Sequence, residues 1–141
     1  MIDVIVGKEF SSKVVPLIES AQHSIRIVVF DWRWYPNEPG SPVQKFNNAI
    51  LAAKRRGVDV KVISNVDDVC RILKEQGIQA RHPITPSIIH AKFIVIDESI
   101  CVMGSHNYTQ NAFTMNHEIS FKVDDKEACK RLREFFDILF V

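Results

Sequence analysis

Charge of one sign is what this chain most lacks: eighteen Lys and Arg stand against seventeen Asp and Glu, a formal charge of +1. That balance excludes a bulk polycation whose affinity for nucleic acid rests on net charge, while a local basic site remains open. Long apolar runs are missing too. None approaches the roughly 20 residues that span a bilayer, and Met1-Ile2-Asp3-Val4 lacks the basic segment and apolar core of a secretory signal. Cysteine is scarce and scattered. Cys70, Cys101 and Cys129 form no CxxC pair of metal-binding spacing, and an odd number cannot pair off within one chain. Reduced thiols in a cytoplasmic setting are the expectation. Repeats and low-complexity tracts are absent, so residues 1–141 read as one domain.

What is present is an alternation of helical and strand patterns. Val14, Leu17, Ile18 and Ala21 follow the stripe of an amphipathic helix, with Ser11 or Ser12 as its expected N-cap. Ile25 to Phe30 suits a strand covered on both faces. Val43, Phe46, Ile50 and Ala53 make a second helical stripe closed by Gly57, and Val58, Val60 and Val62 alternate as a strand. A third helix is expected from Val66 to Gln76, with Asp67 and Asp68 at its positive end. The rhythm then changes. Ile88–Ile96 and Ile100–Met103, separated by Asp97-Glu98-Ser99, read as an antiparallel hairpin, and Ile119, Phe121 and Val123 as a further strand. A last helix carries Ala128, Leu132, Phe135, Phe136 and Leu139 after Asp124 or Asp125. The apolar end, Phe136 to Val141, is expected to dock on the core, on a partner chain or on a neighbouring domain. The fold class is α/β: a mixed β-sheet flanked by helices.

The dense polar information lies between His90 and Glu118. His90 and Lys92 stand two apart in a strand-like run, so their side chains share a face. Asp97 follows at the hairpin turn, Gly104-Ser105-His106-Asn107 succeeds the next strand, and Glu118 opens the one after. An imidazole, an ammonium, a hydroxyl and an amide at adjacent strand ends describe an anion site containing a nucleophile, as phosphoryl chemistry requires.

These residues resemble the phospholipase D superfamily: His90-x-Lys92-x4-Asp97 is similar to its HxKxxxxD signature, and Gly104-Ser105-x-Asn107 to its GSxN element. The chain looks most like the small single-motif bacterial nucleases of that superfamily. The resemblance implies a phospholipase D-like α/β/α sandwich and a two-step mechanism without metal or other cofactor. One His90 attacks phosphorus, and a second protonates the leaving oxygen and then activates water. Lys92, Ser105 and Asn107 would hold phosphate oxygens, and Glu118 would orient the imidazole. Asp97 would be mainly structural, or partner a neighbouring charge. Because the family needs two motifs and this chain has one, a homodimer sharing its active site is implied. Two departures stand out: Glu98 where the family often has Gly, and His106 where an aromatic is common.

Other readings weigh against these. A metal site from His90, Asp97, Glu118 and either His106 or His117 is opposed by the Lys92 ammonium, which would repel a divalent cation. His82, in the loop leading to the motif, is an alternative second histidine. Trp32, Trp34 and Tyr35 read either as a stacking platform for bases or lipid headgroups, or as a loop packed over the sheet. Lys54-Arg55-Arg56 reads as surface charge offsetting a helix dipole more than as a phosphate track. The expected substrate is DNA or RNA, with phospholipid or a non-catalytic nucleic-acid-binding role as alternatives.

Overall fold

The computed structural model describes all 141 residues. Twelve elements follow one another: β1 (Ile2–Val6), α1 (Glu9–Glu19), β2 (Ser24–Val29), α2 (Pro42–Arg55), β3 (Asp59–Ser64), α3 (Asp67–Glu75), β4 (Gln79–Arg81), β5 (Phe93–Ile96), β6 (Ile100–Gly104), α4 (Gln110–Thr114), β7 (Ile119–Val123) and α5 (Lys126–Leu139). The strands form one sheet in the order β1-β7-β6-β5-β2-β3-β4. β2, β3 and β4 are parallel, and β5, β6, β7 and β1 pair antiparallel. The larger core lies on the face covered by α1 to α4, around Phe10, Ile27, Phe46, Val62 and Phe113. A smaller one, including Val28, Ile63, Phe93 and Phe136, lies beneath α5 on the other face. This is the α/β/α arrangement expected. No helix is long and apolar enough to cross a membrane.

Local chemistry accounts for most boundaries. The Ser41 and Asp125 side chains accept the N–H groups of Gln44 and Ala128, capping α2 and α5. The α1 cap differs from expectation. The helix starts at Glu9, whose carboxylate accepts the Val6 N–H, so Ser11 and Ser12 lie inside it and donate to the Pro42 and Glu9 carbonyls instead. β4 and α4 carry no expectation in the sequence pattern, because three and five residues are too short for a periodicity to declare itself. The apolar end docks on the core: Phe136 is buried and Phe140 stacks on it, ring centroids 5.0 Å apart, while Ile138 stays exposed.

The β5–β6 turn fixes the sheet. Asp97 and Glu98 both adopt left-handed backbone, φ 52° and 56°, and the Ser99 N–H closes the turn on the Ile96 carbonyl. Glu98, where glycine would sit without strain, pairs with Arg133 of α5. The Asp97 carboxylate accepts the backbone N–H groups of Gln22, His23 and Ser24 at 2.7–3.2 Å, tying the turn to the entry of β2. Burial acts to raise its pKa, and these donors outweigh it, leaving the carboxyl below its usual value. The Lys54-Arg55-Arg56 cluster lies at this same end, where Arg56 donates to the Ile18 and Ala21 carbonyls and so closes α1.

Asp97→Ala should cost about 3 kcal/mol in chemical denaturation, since three backbone donors lose a charged acceptor. Because the folded pKa is depressed, this contribution is full above the unfolded value of about 3.9 and fades as pH falls through the folded one. The gap between wild type and Asp97→Ala should therefore narrow in acid. Gly104→Ala tests β6–β7 packing independently: an added Cβ would stand 2.4 Å from the Ser120 Cα. The variant should lose about 2–4 kcal/mol or fail to fold.

Candidate active site

The strand ends opposite the Asp97 turn bring the polar residues together. His90 and Lys92 sit in extended chain just before β5 rather than within it, and the Gly104 N–H donates to the Lys92 carbonyl at 3.3 Å, so the ladder ends there. Their side chains meet: Lys92 Nζ lies 3.0 Å from His90 Nδ1. An ammonium donating to Nδ1 leaves the neutral ring protonated at Nε2. Phe30 supports both, its ring centroid 5.0 Å from the His90 ring and 5.6 Å from Lys92 Nζ. Asn65 donates to the Ile89 carbonyl at 2.7 Å, clipping the approach to His90 onto the end of β3. Partial burial pulls the Lys92 pKa below its usual value, and the Glu118 carboxylate opposes that shift.

The neighbouring loop supplies the rest. Ser105 donates to Glu118 Oε1 at 2.6 Å and accepts the Ile119 N–H at 3.0 Å. Its hydroxyl proton is therefore committed to Glu118 rather than offered to a phosphate oxygen. Glu118 Oε2 accepts from Asn116 at 3.1 Å, and Glu118 makes no hydrogen bond to His90. The imidazole is oriented by Lys92 and Phe30, a correction to the role expected of Glu118. Asn107 accepts the Asp31 N–H through Oδ1 at 3.0 Å, which keeps its NH2 group available as a donor.

Several expected site residues lie elsewhere. Asp97 is at the far end of β5, held by three backbone donors, and serves the fold rather than the chemistry. His106 is buried in the core, with Nε2 against the Gly7 carbonyl at 2.8 Å, Nδ1 against Ser120 Oγ at 2.7 Å and Phe10 at 4.6 Å. It cannot touch substrate. Trp32 is fully buried and donates to Asn47 at 2.6 Å, so it is no stacking platform. Trp34 and Tyr35 pack against the same core, and the Tyr35 hydroxyl accepts the Gln110 N–H. His82 is exposed beside Asp67. With Asp97 at the far end and His106 in the core, the donor set of the metal reading does not converge.

Phe30, Asn65 and Asn116 are the site residues that sequence reasoning missed. The first two end or follow central parallel strands, the position where ligand-binding loops gather in open α/β sheets, which was the available signal.

Known proteins share the fold and the sequence pattern, three of them as follows. Nuc from Salmonella typhimurium, a phospholipase D family member, superposes with a TM-score of 0.81 at 25% identity, covering 99% of this chain and 95% of that one. NucT from Helicobacter pylori has the same fold, with a TM-score of 0.78 at 19% identity and coverage of 99% and 94%. The human mitochondrial cardiolipin hydrolase is 26% identical over 137 residues, 93% of this chain and 51% of that protein, so the chain spans about half the length of the curated relatives it matches. The family model described as "Cardiolipin synthase, PLD-like domain" matches residues 14–140. Matched over nearly its whole length, the chain belongs to the phospholipase D-like family.

Proposed function

We propose that the protein is a metal-independent nuclease that hydrolyses nucleic-acid phosphodiester bonds through a phosphohistidine at His90, in a site completed by a second copy of the chain. The His90–Lys92 pair, solvent-facing at 3.0 Å, carries this reading. In the first step Nε2 of one His90 forms a bond to phosphorus as the P–O bond to the leaving oxygen breaks, and His90 of the second copy gives that oxygen a proton. In the second step water attacks phosphorus, its proton passes to the second imidazole and the P–N bond breaks. The proton donor must be an imidazolium, protonated at both ring nitrogens, so its Nδ1 cannot at the same time accept from the Lys92 ammonium. The nucleophile needs Nε2 unprotonated, hence release of its Nδ1 from the Lys92 ammonium. Lys92 and the Asn107 NH2 group would hold the non-bridging oxygens.

Two observations support the assembly. Each chain brings one His90, and the β1–β7 face on the α5 side is uncovered, exposing Ile2, Val4, Val6, Ile119 and Phe121 up to the edge of the site. A second copy seated there would bury this strip and bring its own His90 to the same sheet end. The nucleic-acid substrate rests on the motif, which resembles that of the small single-motif nucleases. A phospholipid substrate is the second reading, favoured by the exposed Ile84 and Ile88 in the loop before His90 and by the relatives named for cardiolipin.

Wild type should cleave labelled DNA or RNA in excess EDTA, with His90→Ala lowering the rate by about 10³-fold or more. Activity only with added metal would sink the mechanism, and release of headgroup from anionic vesicles without nucleic-acid cleavage would sink the substrate. If Lys92 must be protonated, the alkaline limb of the pH profile should fall below the ordinary lysine value of about 10.4. Light scattering should give twice the 16.2 kDa chain mass, and Phe121→Asp should return it to one with loss of activity. An active monomer would overturn the shared site.

A further inference from the structure

A second basic cluster lies outside the His90 site. Lys74 at the end of α3, Arg81 at the end of β4 and His82 line an open cavity of about 500 Å³ with Pro83, Ile84, Thr85 and Ile138. No acidic side chain lines it; Asp67, 4.0 Å from the His82 ring, stands outside the lining. Lys74 and Arg81 take no part in any ion pair. Arg81 is nevertheless held in place. Its guanidinium stacks 4.2 Å from the Phe140 centroid, and Lys61 lies over the same ring at 5.5 Å. A stacked guanidinium keeps its in-plane N–H fork free and oriented, the geometry that matches a phosphate. Two fixed cations, Lys74 and Arg81, in a lining that has no acidic side chain are a standing electrostatic cost that an anion would relieve.

The position of the cavity says which anion. Arg81 pairs with Ile63, Ile63 with Val28, and Val28 with Phe93, which follows Lys92 by one residue. Three strand spacings of about 4.8 Å put Arg81 some 14 Å from the start of β5. That is about four steps along the axis of a base-stacked strand, which rises about 3.4 Å per phosphate. The loop from His82 to Ile88 runs from the cavity wall to His90 with Pro83 and Pro86 within it.

We propose that the Lys74–Arg81–His82 cavity is a distal phosphate subsite, taking the backbone of a substrate strand about four nucleotides from the bond at His90. This rests on the nuclease reading for its substrate class. The site discriminates by length: a strand too short to reach Arg81 binds through the His90 site alone, and a longer one engages both.

The test measures binding without cleavage. Labelled single strands of 3 and 10 nucleotides are titrated by fluorescence anisotropy into His90→Ala protein and into His90→Ala carrying K74Q and R81Q. The 10-mer should bind at least about tenfold more tightly than the 3-mer, and the two added substitutions should abolish that advantage and lower the salt slope of 10-mer binding by about one. Equal affinities for both lengths, or a length advantage that survives K74Q and R81Q, would overturn the subsite. So would vesicles containing an anionic phospholipid that bind through Lys74 and Arg81 when the 10-mer does not. Circular dichroism on each variant identifies misfolding, and R81K, which keeps the charge but not the fork, covers a double variant that fails to fold: it should weaken the 10-mer and leave the 3-mer unchanged. Length-dependent binding through Arg81, with no cleavage by wild type, would retain the subsite and reject the nuclease reading.

Discussion

The seam between β2 and β5 is the constraint on which the rest depends. β2 pairs parallel to β3 on one side and antiparallel to β5 on the other. It therefore joins a doubly wound half, built by helical crossovers, to a hairpin half built by tight turns. Asp97 pins one end of that seam by accepting three backbone N–H groups from the residues entering β2. A slip of one residue would turn Phe93 and Val95 out of the α5 core and send His90 and Lys92 to the wrong face. The signature's aspartate thus serves the chemistry at a distance, by holding register.

At the other end of the seam, polar side chains meet without a wall of their own. The site is a rim: His90 and Lys92 precede β5, Ser105 and Asn107 follow β6, and Glu118 precedes β7. Hydrogen bonds between these segments, Ser105 to Glu118 and Asn107 to Asp31, keep three loops in one arrangement. Such a rim suits a long or surface-bound substrate better than a small molecule that must be enclosed. A second chain over the uncovered β1–β7 face would supply the missing side.

Much of this was legible in the chain itself. The helical stripes, the hairpin around Asp97 and the fold class follow from periodicity, and the polar cluster from His90 to Glu118 was visible as an anion site. What stayed hidden depended on neighbours distant in sequence. Trp32 reads as a loop aromatic until α2 brings Asn47 beneath its indole N–H. His106 reads as a candidate metal ligand until α1 closes Phe10 over it. Glu118 and His90 fall in the right segments, but whether a carboxylate reaches an imidazole or a serine is set by ångström-scale packing that no residue pattern encodes.

The sealed position of His106 sets how the loop behaves in acid. The Gly7 carbonyl can only accept, so Nε2 must carry the ring proton, and Nδ1 is left to accept from Ser120. Burial lowers the pKa of this imidazole below its ordinary value, against the opposing pull of the Gly7 carbonyl and Glu118. The ring is thus a neutral joint between the β1–α1 turn and the strand pair that carries Ser105 and Glu118. Mild acidification therefore leaves this joint neutral, and the scaffold behind the rim keeps its hydrogen bonds.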